Sequence, residues 1–387
     1  MAARWISALA GLLMGVGGAS AQKMVLEKPS GTIRVATFNA DMNRKGAGVL
    51  IKDILERDDQ IMNVAEIILR VRPDILLINE IDHDPEGMAL ARFVELLSEG
   101  VGGVEGLTYP HSFAGPSNTG VPSRVDLDGD GKTMGPGDAL GFGRFPGQYA
   151  MALLSRFPIG EVRDFRGFPW AKVPWAEAPM NPDGTPYYAP EAWAALPLSS
   201  KSHWDAPVAL PDGRVLHILA SHPTPPVFDG PENRNGLRNA AEIRFWADYV
   251  DGADWMQDAA GQTGGLAPDA PFVIVGDLNA DPAKGDGDRM TVSALINQSR
   301  VQDPRPDSPG AAAAGDADDT ADWPEKNGPG NLRVDYVLPS TGLKVVGSAV
   351  FWPADDDPLH RLVQIRGRKR ASSDHRLVWV DIGVNQE

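Results

Sequence analysis

The chain of 387 residues has no cysteine, fewer basic than acidic side chains, and no long apolar run after its first segment. The absence of cysteine excludes disulfide-stabilised folds, cysteine nucleophiles and thiolate metal sites. The 36 basic against 52 acidic side chains give a net charge of -16, which argues against a protein that coats nucleic acid with a general basic surface. A local basic pocket remains compatible with this charge. The hydrophobic content of 42% excludes a disordered chain.

Residues 1–21 have the pattern of a secretory signal peptide. Arg4 supplies a positive charge, an apolar stretch follows from Ile6 to Val16, and Ala19-Ser20-Ala21 offers small residues for cleavage. The apolar stretch is short for a membrane span, and an uncleaved membrane anchor is the alternative. We therefore expect cleavage near Ala21, export to the periplasm or the extracellular space, and no stable membrane insertion.

The rest of the chain mixes short apolar segments with helical patterns. Strands are predicted at residues 33–38, 75–78, 148–154, 215–221, 272–275, 332–338, 345–351 and 377–382, and helices at 49–70, 86–97 and 239–250. Residues 164–213 and 303–330 are predicted to be long loops because they are rich in Pro, Trp, Ala or Gly. This mixture indicates an α/β fold in which helices cover two packed sheets. Because no linker is evident, residues 22–387 are predicted to form a single domain.

Polar side chains recur where the predicted strands end. The groups are Asn39-Ala40-Asp41, Asn79-Glu80, His222, Asp277-Leu278-Asn279, Asp335 and Ser373-Asp374-His375. Carboxylates without cysteine suit a hard cation such as Mg²⁺. A histidine near a carboxylate suits general-base work, and amides donate hydrogen bonds to phosphate oxygens. Together these groups predict a site for phosphoester hydrolysis.

The ordered set of motifs around these residues resembles the endonuclease/exonuclease/phosphatase (DNase I-like) superfamily, in an exported bacterial-type form. The matching motifs are Thr37-Phe38-Asn39, Ile78-Asn79-Glu80, Ser221-His222-Pro223, Gly276-Asp277-Leu278-Asn279, Arg333-Val334-Asp335-Tyr336 and Ser373-Asp374-His375. They span nearly the whole mature chain. The resemblance implies a four-layer αββα sandwich, formed by two mixed sheets flanked by helices, with the site at one edge of both sheets.

The resemblance also implies a role for each matched residue. The metal ligands would be Glu80, Asn39, Asp41 and Asp374, holding Mg²⁺, with Mn²⁺ or Ca²⁺ as alternatives. The catalytic residues would be His375, Asp335, Asp277 and His222, and phosphate would be bound by Asn279 and His222. Which His/Asp pair acts as the general base is left open. A tyrosine or arginine found in several branches has no clear match, and the candidates are Tyr109, Arg144 and Arg156.

Two further clusters stand outside these motifs. Asp126, Asp128 and Asp130 have the spacing that opens a calcium loop, but the closing acidic residue is absent, and a solvated acidic turn is the alternative. A basic segment carrying Arg366, Arg368 and Arg370 precedes the last strand. With His203 it forms a possible substrate rim that attracts phosphorylated molecules, the alternative being a charged hairpin.

These observations predict an exported, divalent-metal-dependent phosphoesterase that hydrolyses a phosphomonoester or phosphodiester by in-line attack of an activated water. Its substrate would be a small phosphorylated molecule or nucleic acid, and no obligate protein partner is inferred. A secreted nonspecific endonuclease acting on DNA or RNA is one alternative. A catalytically silent binding protein of the same fold is the other.

Overall fold

The computed structural model describes residues 26–367 and 369–383. The predicted signal peptide and its cleavage point lie outside the described residues, as does Arg368. The strands are β1 Thr32–Met42, β2 Ile75–Ile81, β3 His111–Phe113, β4 Ala150–Ser155, β5 Arg163–Asp164, β6 His203–Ala209, β7 Val215–Ser221, β8 Phe272–Asp277, β9 Asp335–Pro339, β10 Val345–Val350, β11 Ile365–Arg366, β12 Lys369–Arg370 and β13 Val378–Gly383. The helices are α1 Val49–Leu55, α2 Asp59–Val71, α3 Met88–Glu99, α4 Pro190–Ala195, α5 Arg234–Val250, α6 Arg289–Ile296 and α7 Pro309–Ala314.

Two mixed sheets pack against each other. The six-stranded sheet has the order β10-β13-β1-β2-β4-β3, and the five-stranded sheet has the order β5-β6-β7-β8-β9. In the first sheet β1 is parallel to β2, and in the second β7 is parallel to β8. β1 and β2 contact β8 across the interface between the sheets. The predicted sandwich of two mixed sheets flanked by helices is confirmed.

The direction of the strands brings their functional ends together. The carboxyl ends of β1 and β2 lie at one edge of the first sheet because these strands are parallel. β9 is antiparallel to β8 and places Asp335 opposite Asp277, while β13 is antiparallel to β1 and begins at Val378, shortly after His375. Segments that are far apart in the chain therefore meet at a single edge of the sandwich.

The predicted helix at residues 49–70 is two helices in the structure. Arg57 has a left-handed backbone with φ 56°, which interrupts the helical path. Asp58 then caps α2 by accepting a hydrogen bond from the Gln60 amide. α2 packs a buried apolar face against the first sheet, and it ends at Arg72, which is also left-handed with φ 53°.

The two segments predicted to be long loops contain regular structure. The first includes strand β6 and helix α4, and the second includes helix α7 and the buried residues Asp319, Thr320 and Ala321. The prediction missed β6 because its Pro and Trp residues obscure the alternation of a strand. Within residues 26–367 and 369–383, no helix has the length and apolar character needed to cross a membrane.

The prediction that His203 lies at a substrate rim is wrong. His203 is fully buried at the start of β6, between the rings of Phe245 and Trp246. Its Nδ1 pairs with Ser199 Oγ at 2.6 Å, and its Nε2 pairs with the Glu242 carbonyl at 2.9 Å. Because both ring nitrogens are satisfied inside the core, His203 holds β6 against α5.

Candidate active site

The strand ends form a cavity of about 650 Å³ at the predicted edge of the sandwich. Its lining includes Glu80, Asp277, Asn279, Asp374 and His375, which come from three separate sequence motifs. The cavity therefore gathers side chains that could act on one bound molecule.

A buried Asp–His pair lies at this cavity. His375 Nδ1 is 2.9 Å from Asp335 Oδ2, and the same oxygen accepts a hydrogen bond from Thr320 Oγ1 at 2.8 Å. Thr320 Oγ1 in turn accepts from the Asp335 amide. Burial alone would lower the pKa of His375, but the carboxylates of Asp335 and Asp277 outweigh it and raise that pKa to about 10. The pair fixes the orientation of a charged imidazole.

Asp277 connects the two sheets at the base of the site. Its Oδ2 accepts a hydrogen bond from Asn39 Nδ2 at 3.0 Å and lies 3.4 Å from His222 Nε2 and 3.7 Å from His375 Nε2. Its Oδ1 accepts from the Asn279 amide at 2.8 Å. The carboxylate is thus surrounded by donors and imidazoles that hold its two oxygens in fixed directions.

A lysine outside the matched sequence motifs, Lys201, is buried behind these residues. Lys201 Nζ donates to the Pro223 carbonyl at 3.4 Å, and that carbonyl also accepts from Asn279 Nδ2 at 3.1 Å. Burial lowers the pKa of Lys201, against the opposing charges of Glu242, Glu80 and Asp277. The ammonium group therefore adds positive charge close to the base of the cavity.

His222 is a neutral imidazole beside Asp277. Burial, followed by the charges of Lys201 and His375, lowers its pKa well below the ordinary value. His222 Nδ1 is buried and has no hydrogen-bond partner within the described part of the chain. A neutral histidine with an unused polar atom is suited to exchanging a hydrogen bond with a bound group.

The predicted metal ligands Asp41 and Glu80 lie together. Asn43 Nδ2 donates to Asp41 Oδ1 at 2.8 Å and to Glu80 Oε2 at 2.9 Å. Burial and then the charge of Asp41 raise the pKa of Glu80 to about 7. Both acidic residues have a left-handed backbone, with φ 48° for Asp41 and 59° for Glu80. Such backbones cost about 1–2 kcal/mol each and concentrate at functional sites.

Arg370, predicted as a rim residue, contacts this carboxylate cluster. Its guanidinium is 2.7 Å from both Asp41 Oδ2 and Asp374 Oδ2. Trp323 Nε1 also donates to Asp374 Oδ2, at 2.9 Å. Arg370 lines the cavity, and its charge neutralises part of the acidic cluster, so its role at a substrate rim stays a prediction. Arg366 is exposed on β11, as a rim residue would be.

The remaining sequence candidates lie elsewhere or stay as predictions. The Tyr109 hydroxyl donates to the Pro73 carbonyl, and Arg156 pairs with Asp74 at 2.7 Å. Both candidates are therefore at the other end of β2 from Glu80. Arg144 is exposed. In the predicted calcium loop, one oxygen each of Asp126, Asp128 and Asp130 lies within 4.8 Å of the others.

The donor set fits a hard divalent cation. Asp41, Glu80 and Asp374 offer carboxylate oxygens, and Asn39 offers an amide oxygen beside them. Burial, followed by the charge of Asp41, raises the pKa of Glu80, and a cation held here would favour its charged form. Asp277, Asp335 and His375 form a second group whose ligand atoms lie within 4.8 Å. In that group, Asp335 Oδ2 and His375 Nδ1 are hydrogen-bonded to each other.

Sequence reasoning missed three of the supporting residues. Asn43 follows Asn39 and Asp41 at a spacing of two, and this repeat of polar residues at the end of β1 is the signal that could have identified it. Thr320 and Trp323 come from the segment predicted to be a surface loop, and their local sequence gives no signal of a role. Only the folding of that segment over β9 reveals their contacts.

The two packed sheets and the imidazole–carboxylate site at their edge define a layered α/β protein with an acidic catalytic-type cavity. The chain matches the model of the Endonuclease/Exonuclease/phosphatase family over residues 36–375 and belongs to that family. Members of this family are usually hydrolases that act on phosphoester bonds, and they depend on divalent metal.

Several solved structures are similar to the chain at low sequence identity. An endonuclease/exonuclease/phosphatase from Beutenbergia cavernae is 20% identical with a TM-score of 0.50, over 91% of this chain and 71% of that chain. A family protein from Leptotrichia buccalis is 14% identical with a TM-score of 0.48, over 90% and 99% of the two chains. A mannosyl-6-phosphatase from Bacteroides thetaiotaomicron is 16% identical with a TM-score of 0.44, over 90% and 99%. No curated protein matches the chain significantly.

Proposed function

We propose that this protein is an exported, divalent-metal-dependent phosphoesterase that hydrolyses its substrate by in-line attack of a water molecule. The observation that carries the proposal is the buried Asp335–His375 pair, which lies 3.7 Å from Asp277 in a cavity that also contains the acidic cluster. Family membership supports the hydrolytic class. Export rests on the residues at the start of the chain, which fit a signal peptide.

Two groups of residues have separate roles in this proposal, cation binding and the orientation of His375. Asp41, Glu80, Asp374 and Asn39 would hold the cation, which supplies charge neutralisation at the phosphate oxygens when bound. Asp335 orients His375, whose Nε2 faces Asp277.

Asp277 is the group best placed to hold the attacking water and accept its proton. It is fixed on one side by Asn39 and on the other by the Asn279 amide, so its free direction is constrained. The charged imidazole of His375 next to it stabilises negative charge that develops on the phosphoryl group. Neutral His222 offers a further hydrogen bond at the same place.

A panel of phosphoesters tests the proposal. Purified protein is assayed with bis-p-nitrophenyl phosphate, p-nitrophenyl phosphate, plasmid DNA and RNA, with Mg²⁺ and with EDTA. We expect Mg²⁺-dependent hydrolysis that falls about 10²- to 10⁴-fold in His375→Gln. His111→Gln is the matched control because His111 lies on edge strand β3, outside the cavity lining. Equal rates in both variants, or activity that EDTA leaves intact, would contradict the mechanism.

The same panel separates the alternatives. A nonspecific endonuclease would degrade plasmid DNA and RNA faster than either chromogenic ester, whereas a silent binding protein would hydrolyse none of the four. Export is tested by expressing the full chain in bacteria and determining the mass of the recovered protein in each fraction. A mature form beginning near residue 22 in the periplasm or medium is expected, and a full-length form in the membrane would contradict export.

A further inference from the structure

One wall of the cavity is apolar and ends in an exposed aromatic ring. Pro225, Pro226, Val227 and Phe228 line the cavity on this side, and Trp323 also lines it. The Phe228 side chain is 87% exposed, the largest exposure among the large hydrophobic side chains of the described residues. An exposed aromatic ring on the wall of a cavity offers a surface against which an apolar part of a bound molecule can pack.

The backbone holds this ring in place against its own preference. Phe228 has a left-handed backbone with φ 66°, which is rare for a bulky residue and unfavourable without support. The start of α5 provides that support. Asn235 Nδ2 donates to the Val227 carbonyl at 2.6 Å, and Arg234 Nη2 donates to the Phe228 carbonyl at 3.3 Å. The Asn235 amide also donates to Asp229 Oδ2 at 2.7 Å.

The residues at the base of the cavity indicate which kind of group would pack on the Pro225–Phe228 wall. Glu80, Asp277 and His375 line the same cavity as Phe228, so a phosphoester held at the base extends its organic part along the walls. A polyhydroxylated group would leave the Pro225–Phe228 wall in contact with hydroxyls, with little gain from burying it. A flat ring would bury apolar surface against Phe228 and gain ring stacking as well.

We propose that the substrate is a phosphate ester whose alcohol carries a planar aromatic ring, and that Phe228 is the residue that selects it. This inference rests on the proposed function, because the phosphoester is placed by the catalytic residues. The shared chemistry is the flat ring, which an aryl alcohol or a nucleobase could supply. Phe228 contributes to binding and specificity and takes no part in the cleavage of the bond.

Matched ligand pairs test the preference for a ring. Adenosine 5′-phosphate is compared with ribose 5-phosphate, and 2-phenylethyl phosphate with ethyl phosphate, because each pair has the same type of ester bond. All four are measured as competitors of the chromogenic ester that the wild-type protein hydrolyses fastest. We expect the ring-bearing member to bind about three- to tenfold more tightly in the wild type. The adenosine pair and the phenylethyl pair distinguish a nucleobase from a general aryl group.

Three variants assign the preference to Phe228. Phe228→Gly should bring the ratio close to one, and its stability should be equal or higher because glycine accepts φ 66°. Phe228→Trp should retain the preference. Phe142→Ala is the control, since Phe142 is an exposed aromatic outside the cavity lining. A denaturant titration of each variant separates the loss of the ring from a loss of folding.

The outcomes distinguish the inference from the proposed function. If the wild type hydrolyses no ester, the proposed function fails, and the same pairs are then measured by calorimetry with the Mg²⁺-loaded protein. A wild-type ratio near one, or a ratio that Phe228→Gly leaves unchanged, overturns the inference in either assay. Sedimentation tests whether a second copy of the chain packs on Phe228 instead of a ligand. A wild-type dimer that dissociates in Phe228→Gly, without any change in the binding ratio, would assign the ring to self-association.

Discussion

Replacing Asp335 with asparagine should alter both the activity of the protein and the pH dependence of its stability. The substitution keeps the size of the side chain and removes its charge. In the wild type, His375 Nδ1 lies 2.9 Å from a carboxylate oxygen of Asp335, and the substitution removes this charged partner. The Thr320 hydroxyl remains nearby. The imidazole loses the group that fixes its orientation and favours its charged form.

The size of the effect on stability follows from the pKa of His375. In the folded, metal-free protein that pKa is raised to about 10 from an ordinary 6.5. At about 1.36 kcal/mol per pKa unit, the upper limit of the stabilisation is about 5 kcal/mol. Asp277 shares this effect with Asp335, so we expect Asp335→Asn to lose about 2–3 kcal/mol. Burial also raises the pKa of Asp335, so its ionised form carries a desolvation cost that offsets part of this stabilisation.

The sign of the pH dependence is set by the raised pKa. A histidine whose pKa is higher in the folded state stabilises fully below its unfolded pKa, and this stabilisation is lost as the pH rises through the folded pKa. The wild-type protein in EDTA should therefore lose stability between pH 6.5 and 10. Denaturant unfolding at half-unit steps of pH should show a shallower decline in Asp335→Asn, with the two proteins converging near pH 10.

Two results would refute this reasoning. Parallel stability curves from pH 6.5 to 10 would show that Asp335 does not hold His375 in its charged form. A kcat within about threefold of the wild type, where a decrease of about 10²- to 10⁴-fold is expected, would show that the orientation of His375 is unimportant for the reaction.

Three further variants probe the surroundings of the site. Thr320→Val removes the hydroxyl 2.8 Å from Asp335 Oδ2; denaturant unfolding should show a loss of about 1–2 kcal/mol, and initial rates should show a lower kcat. Lys201→Met removes a buried cation whose pKa burial lowers; stability at pH 7 should be equal or higher, while kcat/KM falls about tenfold. Arg370→Gln removes the guanidinium 2.7 Å from Asp374; calorimetry should show Mg²⁺ binding tightened about fivefold, because a competing positive charge is gone.

Matched controls make these outcomes specific. Thr320→Ser keeps the hydroxyl and should retain both stability and kcat. Lys172→Met and Arg92→Gln change solvent-accessible residues outside the cavity lining and should leave kcat/KM and Mg²⁺ affinity close to the wild type. A Thr320→Ser variant as impaired as Thr320→Val, a Lys201→Met variant that unfolds more easily, or an Arg370→Gln variant with weaker Mg²⁺ binding would each contradict the assigned role.

Much of the fold could be predicted because local pattern and burial agree. The apolar strands Ile75–Ile81, Val215–Ser221 and Phe272–Asp277 are central, and both of their faces are covered, so their burial needs no long-range information. The break at Arg57 and the strand at His203–Ala209 could not be predicted in the same way. The break depends on the left-handed backbone of a single residue, Arg57. The strand depends on its pairing with β7 in the folded sheet.

The same distinction between local pattern and long-range contact applies to the candidate site. The residue types that follow the strands are enough to predict an α/β protein with carboxylates and imidazoles at one sheet edge, because parallel strands end on the same side. Which atoms meet is a property of the folded chain. Asn39 bonds to Asp277 across 238 positions of sequence, and His375 to Asp335 across 40. The packing of one sheet on the other makes the first of these contacts, and no local preference of the chain encodes it.

Arg370 and Phe228 show how tertiary structure alters the meaning of a residue. In the sequence Arg370 is one of several basic residues, and in the fold it neutralises two carboxylates of the site. In the sequence Phe228 is a single aromatic residue in a proline-rich segment. In the fold, hydrogen bonds from the start of α5 hold its backbone in a left-handed conformation beside the cavity. Composition decides which chemistry is available to this protein. Distances of a few ångströms between remote segments decide which of it can be used, because hydrogen bonds and ion pairs act only at such short range.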